Sequence, residues 1–178
     1  MTAATLKFSN PIIKDQIEIL FESNEKLVFR TVVKPSGGQA GVHYHTKITE
    51  EFKIISGELM VNLNGKKLTL KSGDHYEIKP FDRHQFLNES KNDVVFEVMV
   101  SPSMDLKRGL QVIYGLATEE KVYKNGLPKN LLSAAIAIQM MDAYVPNISL
   151  SIQKIGIGVL AFLGKKTALQ KKLISKYC

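Results

Sequence analysis

The sequence predicts a mainly β domain followed by a helical C-terminal extension, and three observations carry that prediction. From about Lys26 to Pro102, short runs rich in β-branched and aromatic residues alternate with turn residues, the pattern of a sandwich or small barrel. After Ser103 the apolar spacing changes to that of helices. Of the 178 residues, 44% are apolar, enough to fill a real core. The expected organisation is an N-terminal arm over 1–25, a β domain over 26–102 and a helical extension over 103–178.

Leu27 to Lys34 reads as a strand stopped by the turn residues Pro35-Ser36-Gly37-Gly38. Phe52 to Ser56 and Leu59 to Leu63 flank Gly57. Asn64-Gly65 is the best hairpin signal in the chain, because both positions tolerate positive φ, and Lys67 to Leu70 is expected to pair back across it. Gly73-Asp74 turns into Tyr76 to Ile78, Pro80 closes that strand, and Val94 to Val100 is a final apolar run before Pro102. In the extension, Met104 to Glu120 and Leu131 to Ala143 have helical spacing, and Ile148 to Tyr177 reads as a third, less regular helical stretch. Pro128 and Pro146 mark the breaks.

The net charge of +7 is concentrated in the tail. From Ala143 to Cys178 there is no Asp or Glu, while Lys154, Lys165, Lys166, Lys171, Lys172 and Lys176 contribute +6; the other 142 residues carry +1. Two readings stay open for Ile148 to Tyr177: an amphipathic helix on an anionic membrane surface, or a helix packed on the β domain or a second subunit with its lysines in water. With no arginine and few aromatics, the tail does not suggest nucleic-acid binding. Neither Leu131 to Met141 nor Ala143 to Gln153 reaches the roughly 18–20 apolar residues a spanning helix needs. Met1 to Asn10 lacks the pattern of a secretory leader, so a cytoplasmic location is expected. The single cysteine, Cys178, excludes an intramolecular disulfide and a thiolate cluster, so any metal must rest on histidine and carboxylate.

Two of the four histidines form a tight pattern with a glutamate. Five residues separate Gly37 from His43, one separates His43 from His45, four lie before Glu50, and six lie before Gly57. On a strand, residues two apart face the same way, so His43 and His45 project together while Val42 and Tyr44 point away. Glu50 opens the next strand and can reach the same point. His75 has the opposite parity to Tyr76 and Ile78 and is expected on the outside. A register slip of one residue would exchange Glu50 with Glu51, which is the fallback ligand.

This segment resembles the first signature motif of the cupin superfamily, and Gly73 to Asn88 resembles the second through Gly73-Asp74, Pro80, His84 and Asn88. The residue after that proline is usually glycine in the family and is Phe81 here, which would be strained if the position takes positive φ. The resemblance implies a double-stranded β-helix, a jelly-roll barrel, with a four-ligand metal site of His43, His45, Glu50 and His84. Three imidazoles and one carboxylate suit Fe, Mn, Ni, Co or Zn about equally. Four protein ligands on an octahedral ion leave positions for a small molecule or dioxygen, whereas a closed tetrahedral zinc would be structural.

The resemblance allows a metal-dependent enzyme of oxygenase, isomerase or cyclase type acting on a small organic molecule, with Glu50 as a general base. It also allows a non-catalytic metal- and ligand-binding protein, and the basic tail suggests a membrane-surface or scaffolding protein as a third possibility. Phe52, Ile54, Met60, Phe86 and Met99 are candidates for the wall of the cavity, or equally for its core. A homodimer is implied because cupin barrels commonly pair, and Thr5 to Phe21 is the segment available for it.

Overall fold

The computed structural model describes residues 6–178. Thr5, and the first half of the Met1 to Asn10 stretch tested for a leader, lie outside the described residues. Eight strands build the framework of the β domain: β1 (Lys7–Asn10), β2 (Asp15–Glu22), β3 (Leu27–Val33), β4 (Tyr44–His45), β5 (Thr49–Ser56), β6 (Glu58–Leu63), β7 (Lys66–Lys71) and β8 (His75–Ile78). They are joined by β9 (His84–Leu87) and β10 (Val94–Ser101). One antiparallel sheet has the order β1-β2-β3-β10-β5-β8 and a second has the order β7-β6-β9.

Period-two alternation explains the packing of the two sheets. Leu27, Phe29, Thr31 and Val33 of β3, and Val94, Phe96, Val98 and Val100 of β10, are buried in turn, while the residues between them are half-exposed. Their buried faces meet Leu59 and Val61 of β6 and Phe86 of β9 in one continuous core. The Asn64-Gly65 turn joins β6 to β7 with φ of 51° and 84°, and Leu63 pairs with Lys66 across it, as the sequence requires. The expected double-stranded β-helix takes the form of two facing sheets that do not close into a barrel. The Gly38 to His43 segment meets β9 through the isolated pairings Gly38–Leu87 and His43–His84 and through hydrogen bonds of Gln39 with Gln85 and Phe86, and these do not form a continuous ladder that closes the small sheet.

Within the stretch read as an arm, the described residues form β1 and β2. Ile17 is buried, β2 pairs with β3 along nearly its whole length, and the Asn10 side-chain oxygen accepts from Ile12 N–H to turn β1 into β2.

Four helices follow: α1 (Leu106–Thr118), α2 (Leu131–Met141), α3 (Leu150–Lys166) and α4 (Leu169–Tyr177). Asn130 caps α2 by accepting from Ser133 N–H at 2.9 Å. The helices share their own core, with Val112, Leu116, Ile136, Ala137, Ala161 and Leu173 at its centre. The stretch read as one irregular helix is two, because Ala168 adopts φ of 58° and turns α4 back onto α1. A further short strand, β11 (Ala143–Tyr144), leaves α2 and pairs antiparallel with β4. That ladder stitches the extension to the strand carrying His45.

Candidate metal centre

His43, His45 and His84 come together at one end of the β domain, each offering a ring nitrogen within 4.8 Å of the others. Their placement follows from the local fold. His43 and His84 face each other across their pairing, which binds the loop before β4 to the start of β9. His45 and His84 are buried, while His43 is partly exposed and marks the open side of the cluster.

Glu50 enters from β5 with the inward parity of Phe52 and Ile54. Its carboxylate lies 3.1 Å from His84 Nε2 and 3.6 Å from His45 Nε2. Glu51 faces the other way, half-exposed, with the exposed His75 ring 3.3 Å from it. The β5–β8 register pairs Glu50 with Ile78 and so sets which glutamate enters.

The backbone fixes the tautomer of every ring. His84 Nδ1–H donates to the Asp82 carbonyl at 2.9 Å, and His45 Nδ1–H donates to the carbonyls of Met141 at 3.0 Å and Asp142 at 3.2 Å. His43 Nδ1 makes a longer contact of 3.4 Å with the Gly41 carbonyl. A carbonyl only accepts, so each Nδ1 holds a proton, and a ring in its neutral form keeps a lone pair on Nε2. His45 Nε2, His84 Nε2 and Glu50 Oε2 are buried with no aligned hydrogen-bond partner. His84 Nε2 and Glu50 Oε2 are close but out of line. Buried lone pairs converging without a donor are costly unless a cation satisfies them, so these residues fit a divalent metal ion.

Electrostatics agree with the geometry. Burial, followed by repulsion from His84 and His45, holds His43 well below the usual imidazole range, so it is neutral and able to bind. Burial pushes Glu50 up, but the three imidazoles outweigh it and bring the carboxyl down to about 2. Burial pulls His84 down, and the Glu50 carboxylate outweighs that pull and raises it, so an ion taking His84 Nε2 would displace a proton there.

The floor of the site is packed. Phe52, Phe86 and Phe96 pack edge-on or tilted with centroids 5.1–6.2 Å apart, Phe52 and Phe96 fully buried, and Ile54 joins them in the core, whereas Met60 is buried with the opposite parity to Leu59 and Val61 and lies outside that core. Met99 does not line it, since β10 turns that residue to the opposite face from Val98 and Val100. Phe81 has φ of 72°, is 59% exposed, and donates its N–H to the His45 carbonyl at 2.7 Å. Asn88 serves the turn after β9, donating to the Val33 and Asn92 carbonyls and accepting from Ser90.

Sequence reasoning missed Asp142. Its buried carboxylate accepts from Thr46 N–H at 2.7 Å, Lys47 N–H at 2.8 Å and the Thr46 hydroxyl at 2.9 Å, gripping the loop between His45 and Glu50. No local signal announces this role, because the partners are some 96 residues apart.

Two facing antiparallel sheets with a three-histidine cluster and an adjacent buried carboxylate define a double-stranded β-helix with a candidate metal site. Residues 29–101 match the family model of the cupin domain, which marks that segment of the chain as similar to the cupin superfamily. Among solved structures it is similar to a sugar phosphate isomerase from a cupin superfamily of Silicibacter pomeroyi, with 17% identity, a TM-score of 0.50, and coverage of 55% of this chain and 71% of that one. It is also similar to an RmlC-like cupin from Shewanella frigidimarina (18% identity, TM-score 0.49, 57% and 87% coverage) and to KdgF from Halomonas sp. (18%, 0.47, 50% and 79%). At these identities the likeness is one of fold. No curated protein matches the chain.

Proposed function

We propose that the protein holds one divalent transition metal ion, of Fe, Mn, Ni, Co or Zn, through His43, His45, Glu50 and His84, and acts on a small oxygen-bearing organic molecule. The observation that carries this reading is the set of buried Nε2 and carboxylate lone pairs left without donors. Once bound, such an ion supplies Lewis-acid polarisation of a ligand oxygen, the common element of oxygenase, isomerase and cyclase chemistry. Glu50 stays ionised at neutral pH and lies where it can take a proton from a molecule entering beside His43. The carbonyls of Asp82, Met141 and Asp142 keep the rings oriented, and the phenylalanine floor keeps water from reaching the centre from below.

The packed floor also favours a second reading, a non-catalytic site that binds a metal and a small ligand. Two measurements separate the readings. Protein purified without chelator is expected to contain one ion per chain, located by anomalous scattering, and His45→Ala or His84→Ala is expected to remove it. Turnover of a small-molecule substrate that disappears in His45→Ala supports the enzyme, and ligand binding with no turnover supports the second reading. Full-length protein with no metal and no affinity for these ions refutes both.

In this reading the chain pairs as a homodimer. β1 is an edge strand, and Leu20 and Phe21 of β2 are exposed, which supports pairing through this region. A monomeric mass by light scattering across the working concentration range would count against it.

A further inference from the structure

Helix α3 is apolar on two sides. Gln153, Ala161 and Gly164 are buried, with Gly164 close against Ile136 of α2. The opposite side carries Ile152, Ile155, Val159 and Phe162 at helical spacing, each 55–68% exposed. A surface helix ordinarily turns polar groups to water, and an exposed apolar stripe of this length marks a surface that something covers.

The charges around the stripe say what the cover is. Lys154, Lys165 and Lys166 lie on the same helix and Lys171 and Lys172 follow on α4. Among the described residues these five have no carboxylate within ion-pair distance, whereas Lys34, Lys67 and Lys71 of the β domain are paired with Asp93, Glu89 and Glu58. A second copy docked stripe to stripe would bring lysine against lysine, with no acidic residue between Ala143 and Cys178 to relieve it. An anionic lipid surface meets both demands, taking the apolar side chains at the acyl boundary and the ammonium groups among the headgroups. No helix among the described residues is long and apolar enough to cross a membrane, so α3, at 17 residues about 25 Å long, lies along the surface.

We propose that α3 docks this protein on an anionic phospholipid surface through the Ile152, Ile155, Val159 and Phe162 stripe and its flanking lysines. The test is co-sedimentation of the full chain with vesicles of mixed phosphatidylglycerol and phosphatidylcholine, and with phosphatidylcholine alone. Binding is expected to the anionic vesicles, weaker to the neutral ones, and reduced by high salt. The double variant Ile155→Glu/Phe162→Glu is expected to lower binding by at least about tenfold. Both positions are exposed, so its circular dichroism and melting temperature are expected to match the parent. Absence of binding to anionic vesicles, or binding unchanged in the double variant, overturns the proposal. So does a lipid-free dimer that the double variant abolishes in the absence of vesicle binding, since the occupant is then a second copy of the chain.

Discussion

Substitution of Asp142 tests whether the helical extension supports the proposed metal centre. Its carboxylate accepts two backbone N–H groups, from Thr46 and Lys47, and the Thr46 hydroxyl, in a position that is 4% exposed. Asp142→Ala leaves the two N–H groups without partners at about 1–3 kcal/mol each. It also puts alanine at φ of 49°, which adds about 1 kcal/mol. The expected loss is about 5 kcal/mol. Asp142→Asn tolerates that backbone and keeps an acceptor oxygen, losing mainly the charge assistance, so about 2 kcal/mol is expected. Urea unfolding in chelator, followed by circular dichroism, reads these values. Because Met141 and Asp142 carbonyls orient His45, metal affinity by calorimetry should also fall about 10–100-fold in Asp142→Ala. A variant within about 1 kcal/mol of the parent, with unchanged affinity, refutes the argument.

Asp15 is raised to about 7 by burial, which outweighs the 2.5 Å hydrogen bond donated by the Tyr114 hydroxyl. The folded state therefore holds this proton more tightly than the unfolded chain. The stability it contributes is fully present below about pH 4 and is lost as pH rises to about 7, by about 4 kcal/mol in all; Asp15→Asn is expected to flatten that part of the stability–pH curve, and parallel curves for the two proteins refute it. Metal at one hundred times its Kd should stabilise the fold by about 2.7 kcal/mol, an increment that chelator removes. Glu50→Gln is expected to lose metal affinity by more than the roughly 100-fold of an outer partner, and unaltered calorimetric affinity would exclude Glu50 as a ligand. At Phe81, relief of positive-φ strain and the greater freedom of unfolded glycine nearly cancel, so Phe81→Gly should stay within about 1 kcal/mol of the parent. The β-branched Phe81→Ile should unfold at lower urea than Phe81→Gly, and the reverse order would refute the strain.

The parts of the fold legible in the sequence are those governed by short-range rules. Parity along a strand put His43 beside His45 and separated Glu50 from Glu51, and Asn64-Gly65 located the tightest hairpin. The rest depends on contacts between distant residues. Ile17 and Ile19 alternate as a strand should, yet β2 exists because β3 offers it an edge. Ala168 carries no turn signal; α4 folds back because Leu173 and Tyr177 find α1 and α2. Met99 was misplaced because a candidate list for a wall needs the register of β10, which the β3 and β5 ladders set.

The same distinction bears on how the centre is held. His84 and His43 take their orienting carbonyls, Asp82 and Gly41, from two residues away, inside the stretch that matches the cupin domain. His45 lies on a strand of two residues whose one ladder among the described residues is with β11, and both of its orienting carbonyls come from beyond residue 101. Its Nδ1–H would otherwise be a buried donor, free to move its proton to Nε2 and present an N–H, instead of a lone pair, to the ion. The extension therefore decides the tautomer of one histidine in three. It does so through Asp142, which fixes the distance between α2 and the His45–Glu50 loop. The helical half of the chain is thus a structural part of the histidine cluster's setting as well as the bearer of the chain's basic surface.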